Sequence, residues 1–212
     1  MSRLRPRAVC VFCAASEAID DRYRELAAQV GAELGRRRLE LVSGGGRVSS
    51  MGALVRAARL NGSRTVGVIP SALMGWEVAD TESDELVVTD GMRDRKAQMD
   101  RRSDAFLVLP GGIGTLEEFL EAWVARSLGL HRKPIVVLDP WQDFAALRAL
   151  LEHLVAAGFT SAVVAAEVHW ATTPAAALDV IEAGWQAGEG RSAALPDRPV
   201  GRPEVELELE AD

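Results

Sequence analysis

The sequence predicts a doubly wound α/β fold, a mostly parallel sheet with helices on both faces, and two observations carry that expectation. Short runs rich in Val, Ile and Leu alternate with longer stretches whose apolar residues recur at helical spacing, the order that builds parallel strands joined by right-handed crossovers. The runs are apolar almost throughout rather than at every second position, as a sheet covered on both faces requires. The architecture expected is Rossmann-like.

Each element can be justified in order. RAVCVFC at 7–13 reads as a buried strand, and 19–37 as a helix with Leu26, Val30 and Leu34 on one side. LELV at 39–42 is a second strand, followed by Gly44-Gly45-Gly46, and 50–61 is a helix of small residues that stops near Gly62. TVGVIP at 65–70 is a third strand ended by Pro70, ELVVTD at 85–90 a fourth, and 92–103 a helix. AFLVLP at 105–110 is a fifth strand, 114–128 the next helix, and PIVVLD at 134–139 a sixth strand. Residues 142–157 read as a helix with Phe144, Leu147, Leu150, Leu151 and Leu154 on one side; a short strand at 162–169 and a helix at 174–186 complete the pattern. Residues 1–187 thus form one domain, and 188–212, rich in Gly, Pro and Glu, are expected to be an acidic, disordered tail.

The bulk properties narrow the function classes. A chain of 212 residues with 48% apolar residues suits one α/β domain with a sizeable core. No apolar run is long enough to span a membrane, and the basic N-terminus lacks a signal-peptide apolar region, so a cytoplasmic location is expected. The net charge is −7, and from Gly188 onward seven acids against three arginines account for −4 of it. That balance argues against nonspecific nucleic-acid binding. Cys10 and Cys13 form a C-x-x-C pair, but a strand points these positions to opposite faces, which favours buried thiols over redox chemistry. No second cysteine pair exists and His131, His153 and His169 are scattered, so no metal site is expected.

Ligands of such sheets bind outside the carboxyl ends of the strands, and three segments there carry chemistry. Gly44-Gly45-Gly46 precedes a helix whose N–H groups attract anions; the plainer reading is a flexible connection with Ser49 or Ser50 as the helix cap. PGGIGTLEE at 110–118 loosens a strand-to-helix turn at Gly111, Gly112 and Gly114 and offers Thr115 at the helix start, a phosphate cradle by the same mechanism. Glu117 and Glu118 follow; a helix N-terminus favours each by under about 1 kcal/mol, which does not explain two acids beside a turn shaped for an anion. MRDRK at 92–96 supplies Arg95 and Lys96, the latter one of only two lysines against 22 arginines. If the fourth and fifth strands are neighbours, Arg95 and Glu118 flank one pocket.

Together these segments resemble the LOG ("lonely guy") family of cytokinin riboside 5′-monophosphate phosphoribohydrolases. The family pattern of GGG-x-x-G-L-M-G, M-H-E-R-K and P-G-G-x-G-T-x-x-E stands here as GGGRVSSMG, MRDRK and PGGIGTLEE. FCAAS at 12–16, VGVIP at 66–70, SDAFLVLP at 103–110, LGLHRKPIVV at 128–137 and GF at 158–159 extend the likeness over about residues 8–185. The resemblance implies hydrolysis of the N-glycosidic bond of a purine nucleoside 5′-monophosphate, giving free base and ribose 5-phosphate without a cofactor. It places the catalytic pair on Arg95 and Glu118. Gly112, Gly114, Thr115 and Glu117 would surround the phosphate and ribose, and Lys96 and Glu77 would contact the nucleotide. It also implies a homodimer, to whose interface Met92, Trp123 and the 114–128 helix could contribute. Ser49 and Ser50 depart from the usual Gly and Leu, and Arg93-Asp94 from His-Glu. The family's older label, lysine decarboxylase, needs a Schiff-base lysine, and only Lys96 and Lys133 are available. A carrier that binds a nucleotide or molybdenum cofactor without cleaving it is the alternative, since glycine loops would serve binding alone.

Overall fold

Strand β1 (Ala8–Phe12) occupies the middle of the sheet, with its neighbours laid out on either side. The computed structural model describes residues 6–74 and 79–190. After β1 come α1 (Asp21–Arg36), β2 (Glu40–Ser43), α2 (Ser49–Leu60), β3 (Thr65–Pro70), a single 3-10 turn at Ser71–Leu73 and β4 (Glu85–Thr89). The second half runs α3 (Met92–Arg102), β5 (Ala105–Val108), α4 (Ile113–Ser127), β6 (Ile135–Leu138), α5 (Ala145–Ala156), α6 (Ala162–Ala165), β7 (Val168–Ala171) and α7 (Pro174–Gln186). Among the described residues the strands form one seven-stranded sheet in the order β4-β3-β2-β1-β5-β6-β7, and every adjacent pair is parallel.

Each central strand buries both faces, which is why its sequence is apolar without alternation. Val9, Val11, Leu41 and Leu107 pack with Leu26, Val30 and Leu34 of α1, Leu54 of α2 and Leu178 of α7. Cys10, Phe12, Val42, Val68 and Phe106 pack on the opposite face with Met99 of α3 and Phe119 and Trp123 of α4. The two thiols therefore do lie on opposite faces, Cys10 in one core and Cys13 in the other.

Three expectations need correction. The stretch expected as a strand at 162–169 divides into the one-turn α6, capped by the Ser161 side chain on the Val164 N–H, and β7 at Val168–Ala171. A short apolar run does not by itself distinguish a buried turn of helix from a strand. In α5, Leu150 is 51% exposed while Leu147 and Leu151, with Phe144 just before the helix, turn toward the core. Third, β4 and β5 are not neighbours: β4 is an edge strand, and β3, β2 and β1 stand between them. Helix α3 crosses beneath these strands to connect the two, touching β1, β2, β3 and β4 on the way.

Of the stretch expected as a tail, Glu189 pairs with Arg126 at 2.9 Å and the Gly190 N–H donates to the Arg132 carbonyl at 3.1 Å; residues 191–212 lie outside the described residues. Among the described residues no helix is long and apolar enough to cross a membrane.

Candidate active site

At the carboxyl ends of β1 and β5 the chain departs to opposite faces, to α1 on one and α4 on the other, and a cleft of about 550 Å³ opens between them. Arg95, Gly111, Gly112, Gly114, Thr115, Glu117 and Glu118 all line it.

Arg95 reaches the cleft because α3 passes under the sheet. Its side chain is 7% exposed. Nε donates to the Val68 carbonyl at 3.1 Å and Nη2 to the Gly44 carbonyl at 3.1 Å, which leaves Nη1 turned to Glu118 Oε1 at 3.5 Å. The Glu118 side chain is 12% exposed. Little solvent screens the attraction between two groups this sheltered, and each has given up hydration to be there. The expected meeting of Arg95 and Glu118 thus occurs, by a route different from the one supposed.

The turn before α4 offers donors. Gly112 caps the helix without any side-chain hydrogen bond, so the first N–H groups of α4 have no intrahelical partner and point outward with the positive end of the helix dipole. By contrast α1, α6 and α7 are capped by Asp20, Ser161 and Thr173. Gly111 is held to glycine by contact: a Cβ there would lie 2.2 Å from Thr115 Oγ1. A Cβ on Gly112 or Gly114 would meet open space, so those positions border the cleft without being packed against protein.

The Gly44–Gly46 run sits behind the cleft wall rather than in it. Gly44 serves Arg95: a Cβ there would lie 2.0 Å from Nη2. Gly45 adopts φ +78° against Val68 and Ile69, and Gly46 pairs with Ala79 in an isolated bridge. Neither Ser49 nor Ser50 is the helix cap. Val48 holds that position, and the two hydroxyls instead donate to the Ser16 and Tyr23 carbonyls. Ser49 has φ +52°, a conformation that glycine adopts without strain, which explains why the family pattern has Gly there.

Lys96 stands beside the cleft and pairs with Glu117 and Glu121 of α4. Those two carboxylates, Glu117 first, raise its pKa. Burial, with a smaller push from Glu118, drives the Cys13 thiol up to about 12, and burial raises Cys10 as well. Neither supplies a thiolate near neutral pH. Burial lowers His131 to about 4; its Nδ1 accepts from the Lys133 N–H, which leaves the proton on Nε2, facing the Ala122 carbonyl. Among the described residues no cluster of His, Cys, Asp or Glu could hold a metal ion.

Glu77 lies outside the described residues. Trp123 is buried, its Nε1 donating to the Val164 carbonyl at 3.0 Å; Met92 is 46% exposed at the cleft. Sequence reasoning missed Tyr23 and Asp143, which also line the cleft. The available signals were that Tyr23 is the only tyrosine and that Asp143 follows a strand end.

Comparison with known proteins gives the family. The family model described as "possible lysine decarboxylase" matches residues 51–181. A cytokinin riboside 5′-monophosphate phosphoribohydrolase of Mycobacterium tuberculosis is 54% identical over 153 residues, 72% of this chain and 81% of that protein. The enzyme of that name, LOG7, from Arabidopsis thaliana is 41% identical over 160 residues, 76% of this chain and 74% of that protein. The molybdenum cofactor binding protein of Rippkaea orientalis superposes with a TM-score of 0.66 at 22% identity, over 85% of this chain and 98% of that one; at such identity the likeness is one of fold. Because the model spans most of the sheet and the relatives match over most of their own length, the chain belongs to the family described as possible lysine decarboxylase, the LOG family that includes the cytokinin riboside 5′-monophosphate phosphoribohydrolases.

Proposed function

We propose that this protein hydrolyses the N-glycosidic bond of purine nucleoside 5′-monophosphates, releasing free base and ribose 5-phosphate. The observation that carries the reading is the sheltered Arg95–Glu118 pair at 3.5 Å, placed in one cleft with an uncapped helix N-terminus. The names of relatives up to 54% identical support it.

The phosphate binds the N–H groups at the start of α4, beside Thr115, and anchors the nucleotide by a group remote from the reacting bond. Cleavage of the glycosidic bond develops positive charge on the ribose, which the Glu118 carboxylate stabilises. Glu118 also takes a proton from the attacking water, whose oxygen bonds to the anomeric carbon as the C–N bond breaks; the bond's electron pair leaves with the base, which takes up a proton from solvent. Arg95 has given two donors to carbonyls on the β2–β3 side. It therefore orients Glu118 and faces the leaving base rather than the phosphate. Gly112, Gly114 and Glu117 border the phosphate and ribose, and Lys96 acts through Glu117.

The lysines speak against a pyridoxal-dependent decarboxylase. A Schiff base needs a neutral amine, whereas Lys96 is paired with two carboxylates and Lys133 is buried on Asp100 at 2.6 Å. A carrier would leave the Arg95–Glu118 pair without a use. The reading includes a cytoplasmic homodimer in which a second copy covers the outer face of α4. The test is incubation with AMP and with isopentenyladenosine monophosphate, followed by chromatography. Release of base from at least one is expected; tight binding without release from either would overturn the hydrolase assignment.

A further inference from the structure

Tyr23 occupies a place that the proposed reaction leaves without a use. Its hydroxyl donates to Asp143 Oδ1 at 2.8 Å and accepts from Arg22 Nη2 at 2.6 Å. The Arg22 guanidinium lies 4.7 Å from the Tyr23 ring centroid, 4.8 Å from that of Trp141 and 3.7 Å from the Asp143 carboxylate. This clasp ties the first turn of α1 to the loop between β6 and α5. The loop is built to present Asp143. The buried Asp139 carboxylate accepts from the Asp143 N–H at 2.7 Å and the Phe144 N–H at 3.3 Å. Gln142 is held at φ +63°, a strained conformation for a residue other than glycine.

The strand order places the clasp relative to a nucleotide. Along the carboxyl edge of the sheet the cleft runs from Leu73 beyond β3, through Met51 beyond β2 and Ser16 beyond β1, to the Gly111–Thr115 turn beyond β5 and last to Asp143 beyond β6. A nucleotide with its phosphate on the α4 turn and its glycosidic bond at Glu118 sends its base toward β2 and β3. The outer phosphate oxygens then face β6. Any group attached to that phosphate advances onto the Tyr23–Asp143 bridge, where the Arg22 guanidinium is already engaged by Asp143 and Tyr23 and leaves no unpaired cation for a second phosphate.

We propose that the Tyr23–Asp143 clasp is the specificity determinant that confines this site to nucleoside 5′-monophosphates and rejects di- and triphosphates. The proposal rests on the phosphoribohydrolase reading for the orientation of the nucleotide. Exclusion acts by a fixed wall and by a cation already paired within it, a means of rejecting a ligand that contains the correct one within it. Asp143 holds the Arg22 guanidinium at 3.7 Å and so withholds it from a second phosphate.

The test measures affinity for AMP and ADP by calorimetry, with base release from each, for the full chain and its Asp143→Asn and Tyr23→Phe variants. Asparagine keeps an acceptor for Tyr23 and removes the charge. The unaltered protein is expected to favour AMP over ADP by about 100-fold or more. Asp143→Asn should narrow that ratio by about tenfold, through tighter ADP binding, with AMP affinity within about threefold. Tyr23→Phe, which releases Asp143 from the bridge, should narrow it in the same direction. A merely structural role would weaken both nucleotides alike. That outcome, an unchanged ratio, or ADP bound by the unaltered protein as tightly as AMP would overturn the proposal. Because affinity is read without turnover, a selectivity that responds to Asp143→Asn in a protein that releases no base would tell against the hydrolase reading alone.

Discussion

Gly44 shows how one absent side-chain atom sets the geometry of the site. Its carbonyl accepts from Arg95 Nη2 at 3.1 Å, and a Cβ would fall 2.0 Å from that nitrogen. Gly44→Ala therefore has to displace the guanidinium, and with it the partner of Glu118. We expect kcat/KM to fall by about 100-fold, since displacements of about 1 Å at a reacting centre have that effect, with a fold that far-ultraviolet circular dichroism reads as intact. Steady-state kinetics giving the original kcat/KM would show that Arg95 is not positioned this way. The sequence marked the Gly44 run as special but could not say for what: glycine permits close approach to a ligand or to another part of the chain, and here the close approach is to an arginine 51 residues away. Ser49 illustrates the same limit. It was visible as a departure from pattern, while its φ of +52° and its bond to the Ser16 carbonyl belong to the folded chain.

Helix α4 divides its surface among three tasks. Phe119, Ala122 and Trp123 enter the core, Thr115 and Glu118 face the cleft, and Leu120, Val124 and Leu128 are 40%, 56% and 68% exposed along the outside. An apolar stripe of this kind on the helix that carries the site is what a second copy of the chain would cover. Val124→Glu is expected to shift the mass read by light scattering from dimer to monomer; a monomer before substitution would contradict the dimer, and an unchanged dimer would contradict this face. Most elements of the chain were legible, because buried parallel strands and amphipathic helices write distinct periods into the sequence. The 162–169 stretch failed because Ala162–Ala165 is too short to show a period and its capping by Ser161 looks like any loop serine. The inward set of α5 was read too broadly for a related reason, as Leu150 lies on the solvent side of a helix that covers the core with only part of its surface.

At the scale of the whole molecule, strand order decides function. The sheet reverses direction of growth between β1 and β5, and the cleft forms at that point. Local sequence singled out Arg95, Glu117 and Glu118 as candidates and the family resemblance chose Glu118, but the meeting of Arg95 and Glu118 depends on α3 crossing from an edge strand to the centre, a tertiary fact that no local pattern encodes. The same holds for Tyr23 and Asp143, 120 residues apart. The central claim is that the Arg95–Glu118 pair performs glycosidic cleavage on a nucleotide held by the α4 turn. Glu118→Gln preserves the shape of the side chain and removes its charge and basicity. Its AMP affinity by calorimetry should stay within about tenfold of the original, because the phosphate anchor is untouched, while release of base should fall by at least about 100-fold, the contribution typical of a positioned acid–base group. Base release at the original rate, with affinity retained, would contradict the assignment of Glu118 and with it the mechanism.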